Sequence, residues 1–218
     1  MSNFKDSPHF ATHDDYYTPI SAWKQIKPFV DKKGYNKIFE CFLLNSNEQS
    51  KRNLETLGYE VIGDKTVDFL DKSTWSEEML NKDYGLVLSN PPFERIKSYK
   101  QRTENLKYKC IKQLFDNDKP FIILMNSTNM FQKWFKEIVE NKDVKFIFPS
   151  KKINYDKYDK GGLNKVKTQN IYLKELKKKK KDLTKEEKEI YNELPSLASC
   201  SFNSIYVCYK VLDKNEWI

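Results

Sequence analysis

Histidine is almost absent from these 218 residues: His9 and His13 are the whole supply, and both lie near the start. A histidine-ligated metal centre or a Ser-His-Asp hydrolase is ill served by that, and no metal is expected. Cysteine is sparse too. Cys41, Cys110, Cys200 and Cys208 are scattered without CxxC spacing. This argues against a disulfide scaffold or a thiolate zinc site, and for reduced thiols in a cytoplasmic setting. Long apolar runs are missing. The longest, such as Phe121–Met125, fall far short of the roughly 20 residues of a membrane-spanning helix. The opening MSNFKDSPHF has no apolar stretch of the kind a secretory leader carries.

Aromatic and charged side chains are plentiful instead. Fourteen Phe and thirteen Tyr, in a chain that is 39 % hydrophobic, supply a core and exclude a disordered chain. The length suits one α/β domain over residues 1–218. The net charge is +8, but it is unevenly placed. Between Ser150 and Lys181, twelve Lys face Asp156, Asp159 and Glu175, a net of +9, so the rest sums to −1. A field concentrated in this way favours a polyanion such as nucleic acid, although a lysine run alone reads equally well as a solvated loop. An anionic membrane is the weaker partner, because the run lacks an interfacial helix's apolar face.

Helical spacing of Ile20, Trp23, Ile26 and Val30 after Pro19 predicts a helix over Pro19–Asp31. Further helices are expected at Glu48–Leu57, with Gly58 as its C-cap, and at 76–82, 99–115 and 129–140. Short apolar runs predict strands at 37–42, 59–62, 84–88, 120–125, 144–148 and 204–211. Such alternation implies an α/β fold with a mostly parallel sheet and helices on both faces. The polar stretch 150–199, between the last two of these strands, is too long for an ordinary connection. It is expected to be a basic insertion, with a helix-like stretch over 170–194 that contains Lys177, Lys178, Lys179, Lys180 and Lys181. Together with Lys151 and Lys152, these are the expected nucleic-acid contacts.

The most specific signal is Asn90-Pro91-Pro92-Phe93, directly after the strand Tyr84–Leu88. A nitrogen conjugated to a purine or an amide is a poor nucleophile. An Asn oxygen and a neighbouring carbonyl that accept its N–H hydrogens draw it toward sp³ geometry and expose its lone pair to an electrophilic methyl. The two prolines fix φ and keep the loop stiff, and Phe93 can stack on a flipped base.

NPPF after a strand resembles the motif of amino-methyltransferases that use S-adenosylmethionine (SAM), and most closely the small N6-adenine methyltransferases of phages and large viruses. DDYYTPISAWKQIKPFV (14–30) is similar to that family's opening segment, KIFECF (37–42) to its first strand, and LGYEVIGDKTVDFLD (57–71) to its second strand with the Asp-Phe that follows. PFIILMNSTNMFQKWF (120–135) and CSFNSIYVCYKV (200–211) are similar to later strands. The resemblance implies a Rossmann-like methyltransferase fold whose seven-stranded sheet ends in an antiparallel strand. It implies SAM as cofactor, with Tyr17, Thr18 and Pro19 over the methionine, Glu40 near the amino group and Asn45 in the following loop. Asp64 would face the ribose, and Asp68 with Phe69 the adenine. Asn90, Pro91, Pro92 and Phe93 would be catalytic, and the methyl would pass to N6 of adenine in DNA. For a viral chain the compartment would be the host cytoplasm or a viral factory.

Two departures stand out. Cys41 replaces the family's Pro, and the loop Leu43–Asn47 contains no glycine. Enzymes acting on RNA or cap adenosine use the same motif, and those acting on a glutamine amide usually carry Tyr at the Phe93 position. A non-catalytic nucleic-acid-binding relic of the fold also matches the glycine-free loop. Nothing in the composition selects among monomer, homodimer and a complex with another protein.

Overall fold

The computed structural model describes residues 16–41, 49–63, 84–91, 106–157, 163–194, 196–198 and 203–218. Along the chain the strands are β1 (Tyr16–Tyr17), β2 (Lys37–Phe39), β3 (Glu60–Ile62), β4 (Leu86–Ser89), β5 (Phe121–Asn126), β6 (Val144–Phe148), β7 (Tyr155–Lys157), β8 (Ser196–Ala198), β9 (Ser204–Tyr209) and β10 (Glu216–Trp217). The helices are α1 (Ile20–Lys32), α2 (Gln49–Thr56), α3 (Leu106–Asp116), α4 (Lys133–Val139), α5 (Leu163–Glu175) and α6 (Lys185–Glu193).

Seven strands form one mixed sheet in the order β10-β6-β9-β5-β4-β2-β3. The β2–β3, β2–β4, β4–β5 and β6–β10 pairs are parallel. β9 lies antiparallel between β5 and β6. The reversed strand is thus β9, and the last strand in the sheet is the two-residue β10, parallel to β6 and not anticipated from the sequence.

The continuous apolar runs are explained by burial of both sheet faces, since alternate residues of a strand point to opposite sides. Ile38, Leu86, Leu88, Ile122, Leu124, Tyr206 and Cys208 share one core with Ala22, Trp23, Ile26 and Val30 of α1 and Leu54 of α2. Phe39, Val87, Phe121, Ile123, Met125, Ile205 and Val207 share the other with Ile111 and Leu114 of α3 and Phe135 of α4. This is an α/β fold with helices on both faces of the sheet.

Local details depart from the expected elements. Gly58 does cap α2, with φ of 94° and its N–H on the Glu55 carbonyl. The helix expected over 129–140 is broken: residues Ser127–Phe131 form a 3₁₀ turn, Gln132 is extended, and α4 begins at Lys133. Asn126 caps the 3₁₀ turn, its side chain accepting from the Thr128 N–H. Expected helices at 76–82 and at the start of 99–115 lie outside the described residues.

The stretch 150–199 is more than a basic loop. β7 and β8 pair with each other, and β7 pairs with β1, giving a second, three-stranded antiparallel sheet in the order β1-β7-β8. Tyr155 of β7 belongs to the α1-side core, and its hydroxyl lies 2.8 Å from that of Ser204. The single helix expected over 170–194 is two. Lys177 takes φ of 52° after α5, a 3₁₀ turn covers Lys180–Asp182, and α6 starts at a Thr184–Glu187 capping box. The lysine run therefore occupies the turn between two helices. No helix among the described residues is long and apolar enough to cross a membrane.

Candidate active site at the ends of β2 and β4

β2 and β4 are adjacent and parallel, so their C-terminal ends open side by side. Glu40 directly follows β2, and β4 ends in Ser89 with Asn90 directly after it. Glu40 is only 1 % exposed. A buried carboxylate needs hydrogen-bond donors, and two hydroxyls provide them: Ser50 Oγ donates to Oε2 at 2.5 Å, and Ser89 Oγ donates to Oε1 in a short contact. The Glu40 backbone N–H donates to the Ile62 carbonyl at 3.0 Å, which fixes the end of β2 against β3.

Thr18 is 3 % exposed, between β1 and α1. Its carbonyl accepts from Asn53 Nδ2 at 2.9 Å, and its hydroxyl accepts from Asn90 Nδ2 at 3.0 Å. Asn53 is itself oriented by Gln49, whose Nε2 donates to its Oδ1 at 2.9 Å. Two residues of α2 and two at the end of β4 thus grip two points: Ser50 and Ser89 hold Glu40, while Asn53 and Asn90 hold Thr18. The first two turns of α2, through Ser50 and Asn53, bring the opening segment and the end of β2 together.

This arrangement leaves Asn90 Oδ1 buried with no hydrogen-bond partner among the described residues. Such an atom is uncommon in a folded protein. Here the amide nitrogen is occupied by Thr18, so the atom left is the acceptor, at the C-terminal edge of a parallel sheet, where α/β folds bind ligands. Pro91 follows, also buried.

Gly63 ends β3 with φ of 115°, and a Cβ there would overlap the Glu40 carbonyl oxygen. Lys51 Nζ donates to the Gly63 carbonyl at 3.0 Å. Burial, and then the Glu40 charge, push the Cys41 thiol well up, against a smaller opposing effect of its Ser89 hydrogen bond. Burial also pushes the Tyr84 hydroxyl up to about 12. Neither is a base or nucleophile near neutral pH.

Of the expected site residues, Thr18, Glu40 and Asn90 are brought together. Pro19 is the N-cap of α1, and Tyr17 lies in β1, paired in register with Asp156. Asn45, Asp64, Asp68, Phe69, Pro92 and Phe93 lie outside the described residues. Ser50, Asn53, Gly63 and Ser89 were not singled out from the sequence. Ser89 had a usable signal, a small polar residue closing an apolar run just before NPPF; Ser50 and Asn53 had none. SAM would need a carboxylate for its ammonium and a close backbone approach beside it. The buried Glu40 fits the ammonium end of the molecule, while Gly63 lets β3 close on the Glu40 carbonyl.

The basic segment divides. Lys151, Lys152, Lys177, Lys179 and Lys181 are exposed, and none of them carries an ion pair among the described residues. Lys178 instead pairs with Glu187 at 2.6 Å, and Lys180 lies 5.3 Å from the centre of the Tyr191 ring. From Asp182 to Glu193, five acidic residues face Lys185 and Lys188, so the field is positive at the turn and reverses along α6. A scan against protein-family models and a search of curated proteins found no match to the chain.

Proposed function

We propose that this chain is a SAM-dependent methyltransferase with a Rossmann-like fold that acts on the N6 amine of adenine in nucleic acid, DNA in the first instance. The carrying observation is Asn90: its amide nitrogen is held by Thr18, and its oxygen is left buried and unpartnered at the end of β4. That oxygen is set to accept one amine hydrogen, and a carbonyl near Pro91 accepts the second. Glu40 binds the cofactor's ammonium, and Gly63 holds the end of β3 against the Glu40 carbonyl. When bound, SAM supplies a methyl on a sulfonium centre, which reacts by in-line displacement with no metal. Phe93 stacks on the base, and the exposed lysines of the α5–α6 turn hold phosphates. The sheet order, with one reversed strand inserted beside β5, supports the same reading.

Tritium-labelled SAM offered with DNA, RNA and capped RNA side by side tests it. The expected outcome is label in adenine as the N6-methyl product, DNA first. The absence of both cofactor binding by calorimetry and transfer to any of the three would overturn the reading in favour of a non-catalytic nucleic-acid-binding relic.

A further inference from the structure

Phe131 is 86 % exposed, the most exposed large hydrophobic side chain among the described residues. It stands on a stiff platform. Asn126 Oδ1 accepts from the Thr128 N–H and hydroxyl, Asn129 Nδ2 returns to the Asn126 carbonyl at 2.8 Å, and the Ser127 N–H donates to the Asn203 carbonyl at 2.8 Å. The turn is thereby closed on itself and tied to the start of β9.

Its place is set by register. Ser89 of β4 pairs with Ile123, and β5 runs on to Asn126, three residues further. At about 3.3 Å per residue, the turn rises roughly 10 Å beyond the end of β4, on the edge that carries Asn90. From Asn126 to Lys136 there is no acidic side chain, and Lys133 and Lys136 follow Phe131 on exposed positions. Lys133 makes only a long 3.7 Å contact with Glu137. An aromatic ring held out rigidly and followed by two exposed lysines, on the sheet edge that also carries an acceptor suited to an exocyclic amine, has the chemistry of a stack on a nucleobase or a wedge between base steps.

We infer that Phe131 is a nucleic-acid contact that stacks on a base next to the target adenine and holds the strand while that adenine leaves its stack. This deepens the proposed function and rests on it. Among the described residues nothing covers the ring, and an apolar residue followed by exposed lysines is matched by a base flanked by phosphates.

The test is an anisotropy titration of a short labelled, adenine-containing oligonucleotide, as DNA and as RNA, at several salt concentrations. Wild type is compared with Phe131→Ala and Phe131→Trp. The Ala variant is expected to bind roughly five- to a hundredfold more weakly, with an unchanged salt slope, because Phe neutralises no phosphate. The Trp variant keeps wild-type affinity. Equal affinity of wild type and Phe131→Ala on both oligonucleotides overturns the inference. So does an equal loss in Phe131→Trp, a melting temperature that falls in Phe131→Ala, or a wild type that binds neither. Methyl transfer separates this from the wider reading: transfer with normal binding by Phe131→Ala removes the stack alone, and weakened binding without any transfer by wild type removes the methyltransferase alone.

Discussion

Thr18 decides which atom of the Asn90 amide is available. By accepting from Nδ2 at 3.0 Å it leaves Oδ1 as the unsatisfied end. Asn90→Ala is expected to abolish methyl transfer while SAM affinity, read by calorimetry, stays within a few-fold. Thr18→Val keeps the side chain's shape and removes the acceptor. One lost hydrogen bond of about 0.5–1.5 kcal/mol corresponds to roughly a two- to tenfold fall in kcat. An unchanged kcat in Thr18→Val would show that the amide keeps its orientation without Thr18.

Ser89 donates to a fully buried carboxylate, whereas Ser50 reaches it from a half-buried position. Ser89→Ala leaves Glu40 short of a donor and is expected to lower stability by about 1.5–3 kcal/mol, the range for hydrogen bonds to charged groups. Ser50→Ala should lower it less, since water can replace that donor. Urea midpoints of the two variants check the ranking, and a larger loss for Ser50→Ala would reverse it.

Gly63 lies in the left-handed range and against the Glu40 carbonyl. Gly63→Ala adds strain of about 1–3 kcal/mol and pushes the ends of β2 and β3 apart. The expected result is a lower melting temperature and a loss of SAM affinity larger than that of any conservative change at Lys51. Wild-type affinity in a folded Gly63→Ala variant would take Gly63 out of the cofactor site.

The lysine run predicts two different outcomes. Replacing Lys177, Lys179 and Lys181 with Gln should flatten the slope of log K against log [salt] by about 0.9 per lost duplex contact, or about 0.7 for a single strand. Lys178→Gln should leave that slope nearly unchanged and lower the thermal stability of the α5–α6 unit, because its partner is Glu187. Superimposable salt titrations for the triple variant and wild type would make the run a solvated turn.

Asp118 accepts from Lys210 Nζ and the Tyr209 hydroxyl, both at 2.6 Å, and those bonds hold its carboxyl below the ordinary range. A folded-state value below the unfolded one means that the stabilisation is present above the ordinary aspartate value of 3.8 and is lost as pH falls through and below it. Asp118 has φ of 50°, a conformation Asn accepts readily, so Asp118→Asn removes charge with little backbone strain. The stability gap between the two proteins should be widest near neutral pH and close in acid. A gap that is flat across acid pH would exclude the charge as its cause.

The sheet was legible because buried strands announce themselves. Phe121–Met125 and the run from Ile205 to Tyr209 are apolar at every position, since both faces are covered. Asn90 was legible because strand-then-NPPF is a dense local pattern. The grip on Glu40 and Thr18 was not, because Ser50, Asn53 and Ser89 are ordinary polar residues whose meaning comes from meeting across 10 to 49 positions of chain. The stretch 170–194 reads as one helix because lysine favours helices and the turn has no Gly or Pro; positive φ at Lys177 breaks it instead. β7 and β8 escaped notice because strands of three residues carry too little alternation to detect.

The position of β9 has a consequence for how the molecule is made. β5 and β6 each bond to β9 and not to one another, and β9 is synthesised after both, beyond the whole 150–199 stretch. Until it arrives, the apolar β5 presents an unsatisfied edge, which is the feature that recruits wrong partners. Closing that gap requires a long loop to be ordered before any pairing rewards it, and such non-local pairing is slow. The nascent protein thus passes through a stage in which its most hydrophobic strand is one-sided. Expression at low temperature or with chaperone support is expected to raise the folded yield, and the yield should respond to the length of 150–199 more than to the surface charge it carries.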